Sequence, residues 1–492
     1  MVVKMKGIIK NFFNKYKNLS LPVKAAMWFA FCSVVQKGIS FITVPIFTRI
    51  LTVEEYGIYS IYLSWQSIIT IFCTLRFYSG CYINGLYKFK DDRNAFTSSV
   101  QSLATVLTIG VFIIYCLFQK EFNLWLGLST TLMYLMFIYI LFTPAVQFWM
   151  TEQRINYKYI KLIALTLIIA ILNPLMGICG ILFIKTNHVE VRVIGAIFVE
   201  VIVGIYIYIK NIYRGKKLYS KKYWTFAIKF DLPLSLHYLS LNILSQSDRI
   251  MINNYVGADK AAIYSLAYNA SMVMQVIKES IRDAIVPWMY QQLENKEYLS
   301  LKKLINSVLV LISMFTFLFV AFAPEIIRIM GSSKYYEAIW IIPPVTTSVY
   351  FTFLYTIFST IEFFYEKTKY AMYASVSSAI LNVFLNLIFI KRFGYLAAGY
   401  TTLTCYIVLA IFHYFMAKRV LKSYYIKIDF NVIDTKFIIL YSIFVIIFSS
   451  IFSLVYKSIF IRYSLIVILL IIAYLLRNKA INMFKTVRGN KC

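Results

Sequence analysis

The chain has 492 residues, 60% of them hydrophobic and 14% charged, with 50 Lys and Arg against 21 Asp and Glu and a mean hydropathy of +0.72. Soluble domains run near 45–50% apolar and about 25% charged, so this composition excludes a soluble globular protein and predicts a polytopic membrane protein. The net charge of +29 then belongs to basic cytoplasmic loops rather than to nucleic-acid binding. Cys32, Cys73, Cys81, Cys116, Cys179, Cys405 and Cys492 imply no disulfide framework, and His188, His237 and His413 are too scattered for a metal site.

A membrane helix needs about 20 mostly apolar residues, and a bilayer leaves helices as the way to satisfy the backbone of segments this continuously apolar. The sequence therefore predicts an all-α protein of fourteen transmembrane helices: 25–50, 56–83, 96–118, 124–149, 157–184, 191–209, 226–256, 261–289, 304–323, 338–361, 370–390, 395–416, 437–456 and 458–476. Residues 1–24 carry Lys4, Lys6, Lys10, Lys15, Lys17 and Lys24. They run into the first span without a cleavage site and read as a basic cytoplasmic N-terminus ahead of an uncleaved helix. With that end inside, the inner segments hold about 33 of the 50 basic residues against about 9 in the outer loops, and both termini are cytoplasmic. The loop 210–225, with Arg214, Lys216, Lys217, Lys221 and Lys222, reads as a linker between helices 1–6 (25–209) and helices 7–12 (226–416). Its charge serves orientation or contact with anionic lipid. Residues 417–492 carry two appended helices and a cytoplasmic tail. Every outer loop is short; the longest runs from Pro324 to Glu337.

One stretch occurs twice. Phe41–Tyr62 reads FITVPIFTRILTVEEYGIYSIY, and about 205 residues later Gln246–Tyr268 reads QSDRIMINNYVGADKAAIYSLAY. The echo pairs Glu54 with Asp259, Gly57 with Ala262, and Ile58-Tyr59-Ser60 with Ile263-Tyr264-Ser265. Each copy is a span, a very short turn and another span, as expected of a transporter built from two like-oriented halves.

Charge inside an apolar span costs roughly 2.5–3.5 kcal/mol at mid-bilayer, so it faces a cavity or a partner. Lys37, beside Gln36, sits mid-span in helix 1, too far from either end to snorkel. It suits a water-filled cavity or an ion pair. Arg49 and Arg249 lie in the outer thirds of helices 1 and 7. Asp248 adjoins Arg249 but points about 100° away around the helix, so its partner belongs to another span. These three form an inter-helix clamp or charges of the lumen. Arg76 and Arg282 occupy near-equivalent positions in the two halves. Lys278 shares a face with Arg282, and Glu279 and Asp283 share the next. This set snorkels to the interface or forms a cationic mouth for a diphosphate, which the planar guanidinium fits. His237, one turn past Pro233, is a hydrogen-bonded histidine or a proton-coupling group; Glu200 and Glu362 are weaker coupling candidates. Pro45, Pro144, Pro174, Pro233, Pro287 and Pro343-Pro344 are expected to interrupt helices. No phosphate-binding GxxxxGK loop and no nucleophile elbow occur.

Residues QKGISFITVPIFTRILTVEEYGIYSIY and SDRIMINNYVGADKAAIYSLAY, with twelve to fourteen helices and a basic middle loop, resemble the polysaccharide (O-antigen or capsule repeat-unit) flippases of the multidrug/oligosaccharidyl-lipid/polysaccharide exporter (MOP) superfamily. The resemblance covers helices 1–12. It implies two six-helix lobes around a central cavity and transfer of an undecaprenyl-diphosphate oligosaccharide from the inner to the outer leaflet of the bacterial cytoplasmic membrane. Transfer is by alternating access, with H+ or Na+ as the coupling ion and no other cofactor. Implied partners are the lipid-linked oligosaccharide, membrane lipids, a polysaccharide polymerase and a chain-length regulator. Lys37, Arg49, Arg76, Arg249, Lys278 and Arg282 are then expected to contact the diphosphate, and Gln36, Asp248, His237, Glu200 and Glu362 to gate or couple. Two alternatives are an exporter of drugs or small molecules from the same superfamily, which a cationic lumen disfavours for cationic drugs, and a membrane polymerase or glycosyltransferase, for which no large external domain is visible.

Overall fold

A computed structural model of the chain describes residues 20–367, 369–424 and 433–487. The lysines from Lys4 to Lys17, and Cys492, lie outside the described residues. The described residues form seventeen α-helices and two short 3-10 segments, with no strand. Their contacts divide them into two compact units, 1–51 with 65–236 and 52–64 with 237–492.

The first unit is built from α1 (Leu21–Ile50), α3 (Cys81–Lys88), α4 (Arg93–Leu117), α5 (Gln119–Leu126), α6 (Thr130–Ile155), α7 (Tyr159–Phe183) and α8 (His188–Gly215). It also holds the end of α2 (Val53–Thr74) and the start of α9 (Lys221–Tyr255). α8 lies against α4, α6 and α7, and α1 lies against α7. The Arg192 guanidinium of α8 covers the Phe47 ring of α1 at 3.6 Å, a cation–π contact. An aromatic core of Phe77, Tyr82, Phe89, Phe96, Phe148 and Tyr223 gathers α3, α4, α6 and the start of α9.

The span expected at 56–83 is broken. α2 stops at Thr74, Leu75 and Arg76 turn left-handed with φ of 44° and 54°, and α3 starts at Cys81. Asp231 of α9, 1% exposed, explains the break. Both of its carboxylate oxygens accept the Cys81 N–H at 3.1 Å. They meet one of the donors that a helix start leaves open, so ending one helix and beginning another is stabilised locally.

The second unit holds α10 (Ala258–Glu294), α11 (Tyr298–Ala321), α12 (Ala323–Met330), α13 (Ile342–Phe364), α14 (Lys369–Phe393), α15 (Ala397–Tyr424), α16 (Thr435–Leu454) and α17 (Ile459–Val487). α13 is central: it lies against α10, α11, α15 and α16. Pro343 and Pro344 stand in the first turn of α13 and do not interrupt it, because a helix start has no use for their missing N–H. The bend of 48° falls just before them, at the 3-10 segment Ser333–Trp340. The expected outer loop 324–337 thus contains α12 and part of that segment. α16 and α17 are fastened by polar bonds. Tyr441 bonds Ser313 at 2.5 Å, Tyr456 donates to the Val320 carbonyl at 2.8 Å, and Arg462 pairs with Glu325.

From Thr52 on, the first sequence echo meets the second inside this unit. Thr52 and Glu55 cap the start of α2 reciprocally, the Thr52 N–H reaching the Glu55 carboxylate at 2.7 Å and the Glu55 N–H reaching Thr52 Oγ1 at 3.2 Å, a capping box. A Cβ on Gly57 would overlap the Ala258 carbonyl at the start of α10, so glycine there lets the two helix starts touch.

Nine helices among the described residues are long and apolar enough to cross a membrane, or ten if the bent pair before and including α13 is one span. That is fewer than the fourteen expected. α2, α9 and α10 are helical at their expected places but fall outside this set; α9 and α10 carry Asp248, Arg249, Lys278, Glu279, Arg282 and Asp283.

Candidate functional site

The densest buried polar cluster joins four helices of the second unit. Asp248, fully buried on α9, has both carboxylate oxygens occupied. Oδ2 accepts from Tyr264 of α10 at 2.5 Å and Thr402 of α15 at 2.6 Å. Oδ1 accepts from the amides of Asn386 and Asn382 of α14 at 2.7 and 3.3 Å. Asn382 and Asn386 are one helical turn apart and so share a face. Around them, Ser247 donates to Asn382 Oδ1 at 2.6 Å and Thr401 donates to Asn386 Oδ1. Four donors satisfy a carboxylate that would otherwise be prohibitively costly to bury. As the sequence led one to expect, the partners of Asp248 lie on other helices.

Arg249 faces elsewhere. Its Nη1 donates to Gln246 Oε1 at 2.6 Å and to the Ser245 carbonyl at 3.1 Å, and its guanidinium lies 4.3 Å from the Tyr268 ring centre. Gln246 also accepts from Ser64 of α2 at 3.1 Å. The adjacent acid and base of α9 therefore serve two separate networks.

A second cluster lines a cavity of about 640 Å³ that His237, Arg282, Asp283, Tyr355, Ser375 and His413 border. His237 Nδ1 lies 2.9 Å from Ser375 Oγ. His413 Nδ1 lies 2.9 Å from Glu362 Oε1, with the two side chains almost fully buried, and the Tyr355 ring stacks on His413 at 5.5 Å. Glu362 Oε2 is buried without a hydrogen-bond partner. Beside this cavity, Lys278 pairs with Glu279 at 2.8 Å, and Arg282 pairs with Glu279 and with Asp283, the latter at 2.6 Å. Two cations here face two carboxylates, so this end of α10 is locally balanced.

The structure thus brings Asp248, Arg249, His237, Glu362, Lys278 and Arg282 into one unit, in three groups: the Asp248 cluster, the Arg249 network and the cluster around the cavity of His237 and His413. Lys37, Gln36, Arg49, Arg76 and Glu200 lie in the first unit. Lys37 and Arg49 are on exposed faces of α1, Gln36 and Glu200 are half-buried, and Arg76 occupies the left-handed turn after α2. Arg76 and Arg282, near-equivalent in the sequence echo, therefore differ in local backbone. Sequence reasoning missed Tyr264, Asn382, Asn386, Thr401, Thr402 and His413. Two asparagines at i and i+4 in the apolar span 370–390 were the available signal, since amides in lipid need partners.

Chemically, Asp248 is a buried carboxylate met by amide N–H donors at one oxygen and by hydroxyl donors at the other. Among the described residues no group of three His, Cys, Asp or Glu has the arrangement of a metal centre.

A model of the polysaccharide biosynthesis protein family matches residues 23–293, and one of the MatE family matches residues 233–388. Lsg locus putative protein 1 of Haemophilus influenzae is 23% identical over 368 residues, covering 70% of this chain and 86% of its own. Among solved structures, the lipid II flippase MurJ in an inward closed conformation is similar with a TM-score of 0.60 at 15% identity, over 88% of this chain and 100% of its own. An inward-facing multidrug resistance MATE family transporter of the MOP superfamily reaches a TM-score of 0.59 at 13% identity, over 80% of this chain and 96% of its own. At these identities the likeness shows the fold.

Proposed function

Since the chain belongs to the polysaccharide biosynthesis protein family, whose model spans more than half of it, and has the helical fold of MOP-superfamily transporters, we propose that it is a flippase. Its substrate is an undecaprenyl-diphosphate-linked oligosaccharide repeat unit of an O-antigen or capsule. The protein moves it between the leaflets of the bacterial cytoplasmic membrane by alternating access, with both termini inside. The observation that carries this reading is the family match on a flippase-like fold.

In this reading Lys37 and Arg49, on exposed faces of α1, supply countercharge to the diphosphate, which a low-dielectric path requires. Arg76 and Arg249 assist. Lys278 and Arg282 contribute less, because Glu279 and Asp283 already balance them. Asp248 is the coupling residue, taking a proton or Na+ with Asn382, Asn386 and Thr402 as its neighbours. Lys37→Ala should abolish surface polysaccharide at unchanged protein abundance while Lys37→Arg keeps much of it, and lipid-linked repeat units should accumulate on the cytoplasmic face of a deletion strain. Normal polysaccharide in the alanine variant would overturn the cationic contact, and no accumulation in the deletion strain would overturn the flippase.

The MatE match over 233–388 favours a second reading, a small-molecule exporter of the same superfamily. A deletion strain with normal polysaccharide but raised sensitivity to toxic compounds would select it.

A further inference from the structure

At one end of the first unit several helix termini converge. α3 ends at Lys88, α4 starts at Arg93, α8 ends at Gly215 and α9 starts at Lys221. They are tied together: Tyr223 donates to Asp92 Oδ2 at 2.9 Å, Trp224 Nε1 to the Ser99 carbonyl at 3.0 Å, and Ser98 Oγ to the Lys217 carbonyl at 3.0 Å. Tyr219 and Trp224 meet edge to face at 4.9 Å. Rings of this kind, apolar with one polar tip, collect at the headgroup level of a bilayer. The first turns of α9 carry Lys221, Lys222 and Lys229, all exposed, side chains that keep their charged heads in water beside a bilayer.

In this layer an open surface pocket of about 700 Å³ is lined by Lys88, Lys221, Lys222 and Lys229, with Phe226 and Phe230 as apolar wall. All four lysines are exposed. Two of them lie over rings: Lys88 is 4.8 Å from the centre of Phe226, and Lys222 is 5.0 Å from that of Phe89. None of the four forms an ion pair among the described residues. Of the acids on the same elements, Asp92 is held by Tyr223 and Asp231 by the Cys81 N–H, and Asp91 pairs with none of the lysines. Lys221 and Lys222 stand in the first turn of α9, which has no acidic residue. The helix dipole is positive at that end and opposes them. Four cations and a helix start around one pocket make a strongly positive site, which an anion at its centre relieves. Basic loops that only set orientation need no pocket and no aromatic wall.

We propose that this pocket binds the phosphate headgroup of an acidic phospholipid, its acyl chain running along Phe226 and Phe230. The inference rests on the multi-pass character of the chain and not on the transported substrate.

The test uses the purified full chain in a zwitterionic detergent, titrated with dioleoyl phosphatidylglycerol or dioleoyl phosphatidylcholine and read by native mass spectrometry. Phosphatidylglycerol should be retained in clear preference. Replacing all four lysines by Gln should weaken it by roughly fivefold per lysine, while the four Arg replacements retain it and Lys120→Gln with Lys185→Gln leaves it unchanged. If the four-Gln protein does not fold, Lys88→Gln with Lys229→Gln gives the same comparison. Equal binding of the two lipids by the wild type, or undiminished phosphatidylglycerol binding by the Gln variants, would overturn the site. Two further arms test the source of the phosphate. Lysine-dependent binding of farnesyl diphosphate but not phosphatidylglycerol would overturn the phospholipid in favour of a prenyl diphosphate. Displacement of phosphatidylglycerol by an equal concentration of inorganic phosphate would show that no lipid chain is recognised.

Discussion

Asp248 shows how one residue can be tested for two roles at once. Its Oδ1 meets the NH2 groups of two asparagines, which donate, and its Oδ2 meets two hydroxyls, which can also accept. Asparagine fits that pattern: its carbonyl takes the place of Oδ1 and its NH2 donates to Thr402 or Tyr264. Asp248→Asn should therefore keep a thermal midpoint within a few degrees of the wild type yet lose ion-coupled transport, because only the charge is gone. Asp248→Ala leaves four buried donors without this acceptor and should cost about 4 kcal/mol or more, at roughly 1–3 kcal/mol per orphaned group. Unfolding in detergent measured beside surface polysaccharide separates the two. Equal loss of stability in both variants would make the cluster purely structural. The sequence singled out Asp248 because a carboxylate in an apolar span is conspicuous. It was silent on Thr402 and Tyr264, since hydroxyls are common in such spans and their partners lie 154 and 16 residues away.

At the scale of elements, the break between α2 and α3 was illegible for a related reason. Hydropathy reads residues 56–83 as one run, and the feature that divides it is Asp231, 150 residues on in the chain. The same carboxylate lies where a Cβ on Gly80 would stand. Gly80→Ala should therefore push Asp231 off the Cys81 N–H, and Asp231→Ala removes it directly. Each is expected to cost about 1 kcal/mol or somewhat more, as for a lost helix cap. The double variant should cost less than the two together, because both act on one contact. Full additivity in thermal unfolding would show that Asp231 does not cap α3. By contrast, the caps written locally were readable in principle: Thr52 and Glu55 lie three residues apart, the spacing of a capping box.

At the scale of the whole molecule, helices occur where apolar length marked them, the run 56–83 being split between α2 and α3, because a bilayer-sized apolar segment has few other options. Where the strict length-and-composition criterion selects fewer helices than the fourteen expected, α2, α9 and α10 are among those left out. α9 and α10 carry the polar clusters, whose charged and amide side chains lower their mean hydropathy. The fourteen-span orientation rests on the basic loops. It predicts that single cysteines at Ser129, which caps α6, and at Lys457, between α16 and α17, react with an impermeant maleimide added outside intact cells. Labelling only after the cytoplasm is opened would invert the orientation or change the span count.

The bonds that fasten α16 and α17 also set an order in time. Ser313, Val320 and Glu325 are synthesised 128, 136 and 137 residues before Tyr441, Tyr456 and Arg462. At a ribosomal pace of about 5–20 residues per second, each waits roughly 6–30 seconds for its partner. During that interval the Glu325 carboxylate stands on a nascent helix pair without the guanidinium that will neutralise it. A ribosome stalled before Thr435 makes that interval permanent, leaving a chain that ends at α15 with the Glu325 carboxylate lacking its Arg462 partner.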